Sequence, residues 1–159
     1  EWLLDKIPSK QNSSAILHGD FRIDNMIVDA ENPLHVKAVL DWEISALGDP
    51  LMDLANTLAY WVQSDDTAAM RAFAVQPSDA DGMPTRSELL SYYGDKTGID
   101  ISRFDFYAVY GYFRNAVILQ QIYYRFYHGQ TTDQRFARFA LGVKTLCEHC
   151  RALIAASKL

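Results

Sequence analysis

Four side chains near the start of the sequence are of the types that handle phosphate and metal ions. His18, Asp20 and Asn25 lie in one short segment, and Asp41 follows a little further on. An amide oxygen and a carboxylate form a hard-oxygen pair suited to magnesium, which takes one or two protein oxygens together with waters and phosphate oxygens. A second carboxylate can orient an acceptor hydroxyl and take its proton. The set therefore indicates phosphoryl-transfer chemistry.

A short strand and a loop are needed to position Asp20. Residues 15–17 form a small apolar run that is typical of a buried strand, and it ends at His18. Residues 21–24 must then loop, because the strand has just ended. This places the Asp20 carboxylate beside the segment that begins at Asn25.

A β-hairpin is needed to bring Asn25 and Asp41 together. Residues 26–28 and 36–40 are rich in branched side chains, and the turn-forming residues 29–33 separate them. Antiparallel strands joined by a short turn begin and finish at the same edge. Because Asn25 precedes the first strand and Asp41 follows the second, the hairpin predicts that the two side chains converge.

The rest of the chain is predicted to be helical. Asp49 is typical of an N-cap and Pro50 of a first helical position, so a helix is expected from there to about Trp61 or beyond. Thr85 begins a capping box with Glu88. The further helices are expected over residues 1–6, 86–94, 101–128, closed by Gly129, and 131–157. The predicted fold class is α+β and mostly helical, a small hairpin on a helical bundle.

Two segments resemble a known family. Residues 17–25 (LHGDFRIDN) and 39–55 (VLDWEISALGDPLMDLA) resemble the catalytic and metal-binding segments of the aminoglycoside phosphotransferase and choline kinase family, which has a protein-kinase-like fold. The resemblance implies that Asp20 is the catalytic base, that Asn25 and Asp41 bind Mg²⁺, that His18 supports the loop, and that ATP is the co-substrate. The wording HGDFRIDN with LDWE most resembles the kinase-like domains associated with acyl-CoA dehydrogenases.

The same resemblance predicts the domain organisation. All 159 residues correspond to one carboxy-terminal kinase lobe, with a catalytic and metal-binding segment over 1–48 and a helical subdomain over 49–159. The glycine-rich loop and the lysine of the amino-terminal lobe are not in the sequence. We therefore expect this lobe as a partner in a larger protein, negligible kinase activity for these residues alone, and an apolar surface that could support a homodimer. The alternative is a non-catalytic binding or scaffolding module.

Several other side chains leave alternatives open. Arg22 could bring positive charge to the transferred phosphate, as a catalytic residue, or be an exposed loop arginine. Glu43 could face the metal or the acceptor. Arg114 lies in an aromatic-rich helix that is either core or the wall of an acceptor pocket, and its charge would favour an anionic small-molecule acceptor. Asp49 and Asp53 are expected to be structural, in the first turn of a helix.

Composition excludes some functions. The net charge is −5 and no basic run is present, which argues against a nucleic-acid partner. No apolar stretch is long enough to span a bilayer, so no membrane partner is expected. The cysteines Cys147 and Cys150 are too few for a disulfide framework and predict a cytoplasmic location. Although His149 lies between them, we expect packed thiols and not a zinc site, since a helix turns the histidine away.

Overall fold

The computed structural model describes residues 1–10 and 13–159. The fold is α+β and mostly helical, as predicted. The helices are α1 Trp2–Asp5, α2 Pro50–Tyr60, α3 Ala68–Arg71, α4 Arg86–Thr97, α5 Phe104–Tyr127 and α6 Phe139–Ala156, with 3₁₀ turns at Ile23–Asn25 and Gln134–Arg138. The strands are β1 Ala15–Leu17, β2 Met26–Val28, β3 Val36–Val39 and β4 Ala46–Gly48.

The predicted hairpin is confirmed in β2 and β3. The two strands pair antiparallel, with Met26 opposite Val39. At the far end, the Asp29 carboxylate accepts the backbone N–H of Glu31, and an ion pair of 2.8 Å joins it to Lys37. Both bonds lower the pKa of Asp29, the Lys37 bond the more strongly. The turn is therefore built by local polar bonds.

The second sheet is absent from the sequence-based prediction, which contains a single hairpin. Strand β4 pairs antiparallel with β1, with Ala15 opposite Gly48 and Leu17 opposite Ala46. A side chain at Gly48 would come 2.8 Å from Leu17 Cδ1, so the glycine allows the close approach. Four residues or fewer per strand give little periodicity, which explains why residues 46–48 carry no readable strand pattern.

Helix α2 contacts both helix α5 and strand β1. Its N-cap is Asp49, whose side chain accepts the N–H of Leu51, and Pro50 opens the helix as predicted. Leu51 is completely buried. Helix α5 crosses α2 at Gly111, where a Cβ would lie only 2.5 Å from the carbonyl oxygen of Ala55. The glycine thus permits a helix contact that any larger residue would push apart.

The predictions differ from the structure at four helices, and one of them is α5, which begins at Phe104 and not at residue 101. Helix α4 runs three residues past Gly94, because Gly98 in left-handed geometry ends it. Helix α6 begins at Phe139, since the Asp133 carboxylate caps a separate 3₁₀ turn before it. Helix α3 was not predicted, and Thr67 caps it through the N–H of Met70. The capping box at Thr85 and the left-handed Gly129 are confirmed.

Both cysteines lie on helix α6. Cys147 and Cys150 are free thiols, and the buried Cys150 contacts the carbonyl oxygen of Val109 at 3.8 Å. Across residues 1–10 and 13–159, no helix has the length and apolar character required to cross a membrane.

Candidate functional site

The loop that follows β1 turns sharply at Gly19. Its φ is +84°, a backbone geometry that side chains rarely adopt. A Cβ here would also lie 3.0 Å from the carbonyl oxygen of Ile44. Both the positive φ and the close contact require glycine at this position. The glycine allows the loop to lie directly against the segment that follows the hairpin.

His18 joins the loop to the end of the hairpin. The ring is 3% exposed, its Nδ1 accepts the backbone N–H of Asp20 at 3.2 Å, and its Nε2 lies 2.7 Å from the carbonyl oxygen of Leu40. Since Nδ1 is an acceptor, Nε2 carries the proton and donates it to Leu40. The Trp42 ring packs on the imidazole with centroids 4.6 Å apart. His18 thus connects the Asp20 segment to the residue before Asp41.

Asp53 anchors the same loop from helix α2. One carboxylate oxygen accepts the N–H of His18 at 2.7 Å and the other accepts the N–H of Gly19 at 2.8 Å. One turn later, the Thr57 hydroxyl donates to the carbonyl oxygen of Phe21 at 2.9 Å. Asp53 was predicted to have only a helix-terminus role, because nothing in a linear sequence shows that β1 ends over this helix turn.

Asp20 and Asn25 are in direct contact. The Asn25 side-chain amide donates to the Asp20 carbonyl oxygen at 2.8 Å and lies 3.4 Å from the Asp20 carboxylate. Asn25 is 9% exposed. Because the NH₂ group is committed to Asp20, the amide is oriented and its Oδ1 is the atom that remains to accept a ligand. The Asn25 oxygen is thus of the right type for a hard cation.

Asp41 stands where the hairpin ends and adopts an unusual backbone conformation. The Leu40 N–H donates to the Asn25 carbonyl oxygen at 2.8 Å, so Asp41 is one residue beyond the position opposite Asn25. Its φ is +67°, and among described residues it is the one non-glycine residue with positive φ. Such geometry costs free energy and is enriched at functional sites. Its carboxylate is exposed and is the second hard oxygen that the sequence predicts as a ligand.

The described residues contain no complete protein metal cage. No group of three or more His, Cys, Asp and Glu side chains in the described residues is placed to hold a metal ion. Magnesium does not need one, since it retains waters and phosphate oxygens and takes one or two protein oxygens. The oriented Asn25 amide and the exposed Asp41 carboxylate fit that pattern.

Arg22 is held within the loop by two acids and an aromatic ring. Its guanidinium lies 3.4 Å from the Asp20 carboxylate and 3.1 Å from that of Asp24. It also lies 5.0 Å from the centroid of the Tyr60 ring, in a cation–π contact. Arg22 is 20% exposed, which excludes the freely exposed arginine considered in the sequence analysis.

Tyr60 lies within the electrostatic influence of both Asp20 and Arg114. Burial raises the pKa of Tyr60, and the negative charge of Asp20 raises it further, while Arg114 and Arg22 act in the opposite direction. Arg114 on α5 is therefore close enough to act electrostatically on a side chain that Asp20 also influences. Glu43 occupies an exposed turn after Asp41. Tyr60 was not among the predicted site residues, and its proximity arises only from the packing of α2 under the loop.

Comparison with protein families identifies the chain. The model of the phosphotransferase enzyme family, APH, matches residues 1–89, more than half of the sequence. The chain belongs to this family. The match includes the Asp20 loop, the hairpin and all of helix α2.

A solved structure supports the same classification. The crystal structure of a protein from Ralstonia eutropha JMP134, assigned as an aminoglycoside phosphotransferase, superposes with a TM-score of 0.82 and 29% sequence identity. The superposition covers 99% of this chain and 48% of that protein. The kinase-like phosphotransferase fold is thus present, and this chain corresponds to about half of it.

Several relatives are named as acyl-CoA dehydrogenases and not as phosphotransferases. Acyl-CoA dehydrogenase family member 11 from Pongo abelii is 34% identical over 152 residues, which is 93% of this chain and 19% of the relative. Acyl-CoA dehydrogenase family member 10 from Mus musculus is 40% identical over 135 residues, which is 84% of this chain and 12% of the relative. The resemblance to domains associated with acyl-CoA dehydrogenases is thereby confirmed. The chain spans at most a fifth of these relatives.

Proposed function

We propose that this chain is the catalytic and metal-binding part of an ATP- and Mg²⁺-dependent phosphotransferase that acts on a hydroxyl group of a small molecule. Asp20 serves as the base, Asn25 and Asp41 as the metal ligands, Arg22 as the positive charge beside the transferred group, and His18 as the support of the loop. The observation that carries this proposal is the direct contact of Asp20 with Asn25, next to the strained Asp41.

The chemistry assigned to Asp20 is proton removal. As the acceptor oxygen bonds to the γ-phosphorus, the bond from phosphorus to the bridging oxygen of ADP breaks and the hydroxyl proton passes to the Asp20 carboxylate. The Asn25 amide and the Arg22 guanidinium hold that carboxylate in place. When bound, Mg²⁺ would neutralise phosphate charge, with Asn25 Oδ1 and the Asp41 carboxylate as its protein ligands.

The acceptor is proposed to bind near Arg114. Its guanidinium would favour an acceptor with a negative group, and its electrostatic influence on Tyr60 supports a location close to Asp20. Glu43, at the exposed turn after Asp41, is the second acceptor candidate. Two free thiols agree with a reducing, cytoplasmic setting.

The remaining half of the fold is the proposed source of the nucleotide grip. These 159 residues cover 48% of the Ralstonia eutropha protein, and they contain no glycine-rich phosphate loop. We therefore expect the chain alone to turn over negligible ATP. Exposed apolar residues such as Ile16 and Leu47 would be covered by the rest of the fold, or by a second copy in a homodimer.

Metal binding can be tested on the chain itself. Mn²⁺, a paramagnetic substitute for Mg²⁺, should broaden the backbone NMR signals around Asn25 and Asp41 first. Asp41→Ala should remove this broadening, whereas Asp81→Ala, an exposed acid in a distant loop, should retain it. Equal broadening in both variants would contradict the metal assignment.

Phosphoryl transfer requires a protein that contains these residues together with the rest of the fold. Incubation with radiolabelled ATP and pooled metabolites should label an alcohol-bearing acceptor, and the label should depend on Mg²⁺. A folded protein that binds nucleotide but labels no acceptor would favour the non-catalytic binding module.

A further inference from the structure

A partly open pocket lies between helices α2, α3, α5 and α6. Its volume is about 160 Å³. Most of the wall is apolar, with side chains including Val62, Met70, Phe73, Ile118, Leu119 and Leu146. The aromatic-rich helix α5 was predicted to form either core or a pocket wall, and part of it does line this pocket.

Asn115 gives this apolar wall an unusual polar atom. The residue is 5% exposed, and its Oδ1 has no hydrogen-bond partner in the described residues. A buried amide oxygen without a partner costs free energy, so natural proteins seldom retain one without a ligand, water or functional reason. Asn115 also lines the pocket, so a small rotation of its amide would let a ligand N–H or O–H supply the missing bond.

Tyr60 connects the pocket to the catalytic loop. Its side chain lines the pocket, and its ring also lies beneath the Arg22 guanidinium that pairs with Asp20. The pocket is thus separated from the loop by one side chain. At the other end, Arg138 contributes to the lining, with its guanidinium over the Phe73 ring at 5.7 Å.

We propose that this pocket receives a compact apolar group of the acceptor, one that bears a hydrogen-bond donor directed at Asn115 Oδ1. This inference rests on the proposed phosphotransferase function. An apolar cavity of ~150 Å³ in another protein stays dry and binds benzene, so a volume of this size suits a six-membered ring or a similar branched group. Asn115 would then select acceptors whose apolar end bears an N–H or O–H group.

Binding of phenol and benzene to the chain tests the pocket without any catalysis. The two probes have similar size, but only phenol can donate to Asn115. We expect phenol to bind roughly tenfold more tightly than benzene, as one hydrogen bond allows. Chemical-shift changes should concentrate on Tyr60, Asn115 and Leu146. Failure of either probe to shift these signals, or equal affinities, would overturn the proposal.

Two variants test whether the preference for phenol arises at Asn115. Asn115→Leu should abolish the preference for phenol, whereas Gln120→Leu, an exposed polar residue of the same helix, should retain it. If Asn115→Leu does not fold, Gly142→Ala serves instead. Its added Cβ would lie 3.0 Å from Leu119 Cδ1 and from Phe73 Cε1, so it should narrow the pocket and weaken both probes. Unchanged binding in Gly142→Ala, or a retained preference in Asn115→Leu, would contradict the assignment.

Enzyme kinetics test whether the pocket is part of the acceptor site. In a protein that also contains the rest of the fold, phenol should raise the KM for the acceptor and leave kcat unchanged. An unchanged KM with phenol bound would exclude the pocket as part of the acceptor site. Since the probe titrations use neither ATP nor Mg²⁺, they succeed or fail independently of phosphoryl transfer, and the two proposals can be judged separately.

Discussion

Residues 15–48 and residues 49–159 are held in place by different forces. The strand region is largely exposed, with Ile16 71% and Leu47 77% accessible on the sheet of β1 and β4. The helical region contains the core, where Leu51 is 0% and Val109 2% exposed. The candidate catalytic residues therefore lie on the part with the least apolar burial. Their positions depend on directed polar bonds to the helical part, above all those of Asp53.

The sharpest way to separate chemistry from stability is Asp20→Asn. In a protein with the complete fold, kcat should fall by about 10²–10⁴, the usual contribution of a general base. The free energy of unfolding should change by less than ~1 kcal/mol, as expected for a half-buried polar replacement. Kinetics and denaturant unfolding measure the two quantities. Asp24→Asn, which removes the other acid beside Arg22, is the control and should retain most of the rate; a near-normal rate in Asp20→Asn would refute the assignment of the base.

The converse variant lies in the core. Leu51→Ala should lower the free energy of unfolding by about 2–5 kcal/mol, because it removes a fully buried side chain and leaves a cavity. Leu47→Ala makes the same chemical change at an exposed strand position and should cost less than ~0.5 kcal/mol. Urea denaturation of the chain compares the two. Similar losses would mean that the strand region contributes to the core after all.

Asp53→Asn tests the connection between the two regions. The carboxylate accepts two backbone N–H groups, and bonds to a charged acceptor contribute about 1.5–3 kcal/mol. Asparagine retains only one acceptor oxygen, so part of this stabilisation should be lost. Hydrogen exchange should accelerate at the amides of His18 and Gly19 and remain unchanged at Val109. Asp81→Asn is the matched exposed control, and unaltered exchange at His18 would show that the loop does not depend on Asp53.

Local signals made part of this architecture predictable. The Asp49–Pro50 start of α2 and the capping box at Thr85 depend on neighbouring residues only, and both are confirmed. The hairpin was predictable for the same reason, since its turn and its branched strands are contiguous.

Other features depend on contacts between distant segments. The pairing of β1 with β4 depends on the space left by Gly48, and the bonds of Asp53 depend on where the loop passes over α2. Tyr60 joins the site because α2 packs under that loop. The nearness of Asn25 to Asp20 was expected from the loop over residues 21–24, but the amide orientation became known only from the partner of its NH₂ group. No sequence pattern encodes such contacts.

The smallest expected effect is a pH dependence of the free energy of unfolding. It should arise from His149 in the helical part and not from the strand region. Burial lowers the pKa of His149 below its usual 6.5, and the Arg86 cation lowers it further, while Asp66 opposes them. The unfolded chain therefore binds the proton more readily, so stability is complete above pH 6.5 and falls as the pH drops below it. His149→Phe, which retains a ring against Tyr112, should flatten this part of the curve. His35→Phe, in the exposed hairpin, should leave the slope intact. Thermal unfolding between about pH 5 and 8, where histidine ordinarily titrates, measures the slope for both variants. A slope that persists in His149→Phe would place the titrating group elsewhere.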